Sequence, residues 1–364
     1  MKTPFRGSAL ALLPLALAQP AFAQDEDRIV VDEQLLLPAA GLMNDHMHDG
    51  GEIMLGLRYD RRSYGGTNQS GTRDIADADI LAAGYTARTH SMVMDMVMLD
   101  IMYAPTDDLT LMVMPHYMWH RMEITGIDPM GGMHGMDGMD HMAGMDDHAG
   151  HSMGFGDIHS HGTQGFGDTL VSASWRLARS RGLSAHATLG VWVPTGAVDK
   201  TNPDGTFVHY GMQPGSGTWD IEPALTIGGR QGAFGWGAQG SYRWRSEKEN
   251  ASGFSFGDKA RVSSWVSTLL SPSVGTTARI EYTHEGQIEG HYNGPHNHSA
   301  PPDRQENYGG DVVSASLGLN WLLPTGGAMR PQLGVEGGLP LYQDLNGIQA
   351  PEKWRMAVSL SHTF

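Results

Sequence analysis

The stretch MGGMHGMDGMDHMAGMDDHAGH, residues 130–151, places a methionine at every third position: Met130, Met133, Met136, Met139, Met142 and Met145. His134, His141, His148 and His151 fill the gaps with aspartates, and Met153, His159 and His161 continue the series. Between residues 130 and 161 there are seven Met, six His and five Asp. A thioether is a soft, neutral donor that suits Cu(I), and imidazole suits Cu(II) and other divalent ions. Interspersed glycine lets such a segment wrap an ion without a fold of its own. The expectation is a soft-metal ligand set for copper or silver. The competing reading is a low-complexity loop that binds nothing.

Two further rows repeat the chemistry in regular structure. SMVMDMVMLDIMYAP sets Met92, Met94, Met96, Met98 and Met102 on one face, and Val93, Val97, Leu99, Ile101 and Tyr103 on the other. LTLMVMPHYMWHRM sets Met112, Met114, His116, Met118, His120 and Met122 against Leu109, Leu111, Val113, Tyr117 and Trp119. Only the short turn APTDD separates the rows, so they pair as neighbouring strands. The aliphatic and aromatic face is the better lipid face, which turns the methionine and histidine face inward. The result is either a ladder of soft donors along a lumen or a polarizable filling. NDHMHDGG contributes Asp45, His46, Met47 and His48 with Asp49, consecutive potential ligands ahead of the first strand. HYNGPHNH, with His291, His296 and His298, is a weaker cluster.

The elements that must position these residues are read from alternation. Residues 1–23 carry Lys2 and Arg6, an apolar run and an AFA end, the pattern of a secretory signal peptide. Its removal takes the formal net charge from −16 to −18, which disfavours nucleic acid as a partner. The chain has no cysteine, so neither a disulfide framework nor a thiolate ligand is available. Twelve period-two runs follow, near 50–64, 90–103, 109–124, 166–178, 183–195, 217–229, 233–246, 257–271, 274–288, 311–323, 330–343 and 353–364. Each meets the ~9–11 residues that a tilted membrane strand needs. Short connectors (APTDD, RSRG, GRQG, SPS, PTGGAM) alternate with long ones, and the last run ends in Phe364.

These features predict an all-β chain: a transmembrane antiparallel β-barrel of about 12 strands, with short periplasmic turns and long external loops. Residues 24–49 are expected as a periplasmic segment, 50–364 as the barrel, and 125–165 as a Met/His-rich external loop. No Gly-x-Ser-x-Gly pentapeptide is present, and the glycine-rich GFGDIHSHGTQGFGD lacks a phosphate-binding lysine. The chain does not read as an enzyme.

GLMNDHMHDGGEIMLGLRYDRRSYGG and HSMVMDMVMLDIMYAPTDDLTLMVMPHY resemble the outer-membrane "transporter" proteins of bacterial metal-resistance clusters. GFGDTLVSASWRL, LGVWVPTGAVD, GSGTWDIEPALT and GVEGGLPLYQDLNGIQ are similar to the wider family named for the meta-pathway of phenol degradation. The resemblance spans about residues 40–364. It implies an outer-membrane transport barrel with aromatic substrates and no catalytic residues. The inflated segment 130–161 departs from that family. The sequence therefore predicts a barrel that binds copper or silver and aids its transport or sequestration, without a required cofactor. Its expected partners are outer-membrane lipid, metal ions and periplasmic metal carriers. The rivals are a passive pore for small hydrophobic or aromatic compounds and a non-conducting metal-binding scaffold.

Overall fold

The computed structural model describes residues 33–130, 153–180, 182–324 and 331–364. Twelve antiparallel strands form a closed barrel. They are β1 (Ile53–Gly65), β2 (Ala87–Thr106), β3 in two pieces (Leu109–Met114 and His116–Gly126) and β4 in two pieces (Ile158–Phe166 and Thr169–Ser180). There follow β5 (Leu183–Val193), β6 (Asp220–Gln231), β7 (Phe234–Arg245), β8 (Lys259–Ser271) and β9 (Val274–Glu285). The last three are β10 (Gly310–Leu322), β11 (Gln332–Gln349) and β12 (Glu352–Thr363). Each pairs with its neighbours in sequence. β1 closes the ring, running from Met54↔Thr363 to Tyr64↔Glu352 against β12 and from Ile53↔Tyr103 to Gly65↔Ser91 against β2. Pro115, which has no N–H to give the ladder, is the break within β3.

The outer faces carry an apolar band. Leu99, Ile101, Leu111, Val113, Leu225, Val266, Ile280 and Leu319 are all exposed, and Leu317 is 71% exposed. A contiguous surface of this kind does not face water. Aromatic residues bracket it: on β7, Trp236 lies near the short-turn end and Trp244 near the other. Eight residues of strand rise about 26 Å, and strand tilt brings that within the ~25 Å apolar band of outer-membrane barrels. Among the described residues no helix is long and apolar enough to cross a membrane. The strands do the crossing.

Three elements differ from the sequence reading. Ile158–Phe166 is a strand paired with β3 from Thr125↔Ile158 to Tyr117↔Phe166, so His159 and His161 lie on a strand and not in a loop. It extends the wall beyond the lipid band, where neither face needs apolar residues, and so it shows no hydrophobic alternation. β11 likewise runs on through polar residues to Gln349, leaving only residues 350 and 351 before β12 where a longer outer loop was expected. The third concerns residues 33–49. They do not hang free on the periplasmic side but thread the barrel interior.

That segment is held through its backbone. The Leu35 and Leu37 carbonyls accept from Asn320, Leu36 from Ser267, Ala39 from Ser359 and Leu42 from Arg58. The Met43 and Asn44 carbonyls accept from Gln239, and Asn44 also from His186. The His48 N–H donates to Thr110. An extended chain inside a barrel has no strand partner, so inward side chains must satisfy it. Gly275 and Gly334 let it lie close: a Cβ on either would collide with the carbonyl oxygen of Leu35 or Ala39.

The lipid-facing assignment predicts that Leu317→Arg costs ~2–4 kcal/mol near the bilayer midplane, while Leu317→Ala costs much less. Reversible unfolding in lipid vesicles measures both.

Candidate functional site

The inward faces of β2 and β3 form one wall of the lumen. In register, Met92 faces Met122, Met94 faces His120, Met96 faces Met118 and Met98 faces His116. Directly opposed side chains on one face of a ladder touch. All eight line a cavity of about 520 Å³. His116 Nδ1 and His120 Nε2 are buried without a hydrogen-bond partner. The row is not an open path from end to end. Met102 and Met112 pair in register and pack with Met54, Met98 and Met114 around Leu170 and Trp192, and Met43 of the threaded segment covers this cluster.

The opposite wall is ionic. Arg279 pairs with Glu336 and, at 2.6 Å, with Glu281. Glu281 also takes Arg355 at 2.9 Å, and Arg355 takes Glu352 at 2.6 Å. Lys259 holds Glu285 at 2.9 Å, and Arg243 donates to Asp220 at 2.8 Å. Buried charges persist where each is paired in this way. Trp192 sits at the join, with Arg243 4.1 Å above its ring and its Nε1 donating to Glu222 at 2.7 Å. On β1 the charged row Arg58, Asp60 and Arg62 lies directly against Met98, Met96 and Met94.

Long loops cap the outer mouth with an aromatic core. Tyr210 stacks on Tyr292 at 4.2 Å, and Phe207 stacks on its other side at 4.3 Å. Below this core, His161 faces Met122 in register, and its ring lies 5.5 Å from that of His209. His209 Nδ1 bonds Asp303 at 2.6 Å. Burial opposes the charge on Asp303, but His209 outweighs it and holds the carboxyl below its usual range. Sequence reasoning missed His209 and Asp303, because 94 residues separate them and neither stands in a motif.

The other expected ligands are dispersed. Met130 and His159 are exposed, and Met153 packs at the edge of the Met122 cluster. His296 and His298 touch at 4.5 Å in an outer loop, while His291 is exposed. Met133, His134, Met136, Met139, His141, Met142, Met145, His148 and His151 lie outside the described residues. Among the described residues no three His, Asp or Glu side chains converge to hold an ion.

Asp45 to His48 sit inside the barrel. Asp45 Oδ1 lies 2.7 Å from His46 Nδ1, and Glu52 Oε2 lies 3.3 Å from His48 Nδ1. Burial disfavours charge on both Asp45 and His46, yet their mutual attraction prevails, lowering the first and raising the second. Burial, with the neighbouring His46 charge, pushes His48 down to about 3. Met47 is half-buried beside them.

The model of the family described as the MetA-pathway of phenol degradation matches residues 106–339, well over half of the chain. The chain belongs to this family. No curated protein sequence matches it. Among solved structures it is similar to the COG4313 outer membrane channel from Pseudomonas putida F1, at 13% identity, covering 89% of this chain and 99% of that one, with a TM-score of 0.55. It is also similar to the NanC porin, at 6% identity over 85% and 98% of the two chains, with a TM-score of 0.40. The first of these likenesses carries the fold. This member of the phenol-degradation family is thus an outer-membrane β-barrel.

The close bed beneath the threaded segment predicts the effect of Gly334→Val. The added side chain should displace residues 33–42 and raise ion conductance in planar bilayers, with the barrel still folded. Unchanged conductance would show that the segment does not narrow the lumen.

Proposed function

We propose that this barrel is an outer-membrane channel for small aromatic or similarly apolar compounds. The observation that carries the reading is the lumen's division into two walls. Across β8 to β12 the charges Lys259 and Glu285, and Arg279, Glu281, Glu336, Glu352 and Arg355, are already paired with one another, so the opposite wall of thioethers is the surface left for an apolar solute. Thioether sulfur meets aromatic rings favourably, by ~0.3–1.5 kcal/mol a contact. Contacts of that size hold a ring briefly and release it, as passage requires. A cavity of about 520 Å³ accepts a single small ring system with room to turn. Membership of a family named for phenol degradation supports the same solute class. The family and the lumen wall together favour this reading over copper conduction.

Uptake of phenol-sized aromatics tests it, measured in a porin-deficient outer membrane against a sugar of similar size. The wild-type chain should favour the aromatic. Met96→Asp with Met118→Asp should abolish the preference, and Met96→Leu with Met118→Leu should keep most of it. A preference for the sugar, indifferent to both double variants, overturns the reading.

A further inference from the structure

The histidines of the threaded segment are placed in a way that passage of apolar solutes does not explain. Each has its Nδ1 beside a carboxylate, Asp45 at 2.7 Å for His46 and Glu52 at 3.3 Å for His48. Each has its Nε2 buried and without any hydrogen-bond partner. His48 is 2% exposed. The two rings stand 5.0 Å apart. An unpartnered buried nitrogen is costly, so two together demand a reason.

A carboxylate on one imidazole nitrogen is the usual device that fixes a histidine for metal binding through the other. With a metal–nitrogen bond of ~2.0 Å, two imidazoles on one near-linear, two-coordinate ion hold their ring centres roughly 6 Å apart. The observed separation is about 1 Å less, so the two rings must part by that much to take the ion. The donor count narrows the ion. Two neutral nitrogens suffice for a d10 monovalent ion, whereas divalent ions demand four ligands or more. The nearby cation Arg58 is itself engaged, donating to the Leu42 carbonyl at 3.0 Å and lying 3.4 Å from Asp100. We propose that His46 and His48 bind one soft monovalent metal ion, of the Cu(I) or Ag(I) class, between their Nε2 atoms. The bound ion would tie the threaded segment to Glu52 at the foot of β1.

The test uses the full-length chain, refolded in detergent with 15N-labelled histidine and titrated with Ag(I). His46→Gln and His48→Gln assign the two resonances. The Nε2 signals of His46 and His48 should shift together and saturate at one ion per pair. His48→Gln should remove the tight shift at His46. Asp45→Asn, which leaves both imidazoles in place, should weaken binding 10–100-fold. Resonances of His46 and His48 that stay still while other histidines move would overturn the proposal, as would independent titration of the two. Neither result depends on whether the barrel passes aromatics.

Discussion

A bilayer offers no water to the backbone, so every N–H and C=O within it must find a partner in the protein. The closed ladder of twelve strands is the answer here, completed by the pairing of β1 with β12. Closure gives each strand two unlike surroundings. Alternate residues meet lipid, and the rest are confined to a narrow interior with one another. The lipid side accepts almost any apolar residue. The interior is demanding, because each polar group there must be satisfied by a neighbour within reach.

The barrel meets that demand in two ways. Across β7 to β12 it pairs cations with anions, and Glu281 is shared by Arg279 and Arg355. Across β2 and β3 it lines the wall with thioethers, interrupted by His116 and His120. The threaded segment from Glu33 to Asp49 then uses inward Ser, Asn, Gln, His and Arg side chains as substitutes for a paired strand. These three solutions divide one cavity into surfaces with different preferences. A charged solute among Arg279, Glu281 and Arg355 would have to break existing ion pairs, whereas an apolar one against the methionines displaces nothing that is bonded.

The strand count, the lipid face and the inward turn of the Met/His rows were legible in the sequence, because all rest on a period of two. Leu99, Ile101 and Leu111 against Met98, Met102 and Met112 show that period plainly. Where the wall rises past the lipid, as at Ile158–Phe166 and Asp344–Gln349, the period is lost and so was the strand. Leu35 to Ala40 read as part of a periplasmic segment, since an extended chain that touches side chains on all sides has no periodicity to show. The ionic wall was hidden for a different reason. Arg279 and Glu336 are 57 residues apart in sequence and meet only because β9 and β11 flank β10 in the sheet, and each alone resembles an ordinary surface charge. Asp45 and His46 could be seen as neighbours, but not that they would be carried inside the barrel.

The central claim is that the two lumen walls hold different things, with apolar rings on the methionine side. A crystal structure of the barrel soaked with 4-bromophenol tests this directly through the anomalous signal of bromine. The account predicts a bromine peak against Met96 and Met118. A peak lodged among Arg279, Glu281 and Arg355 would contradict it, as would bromophenol bound only outside the barrel.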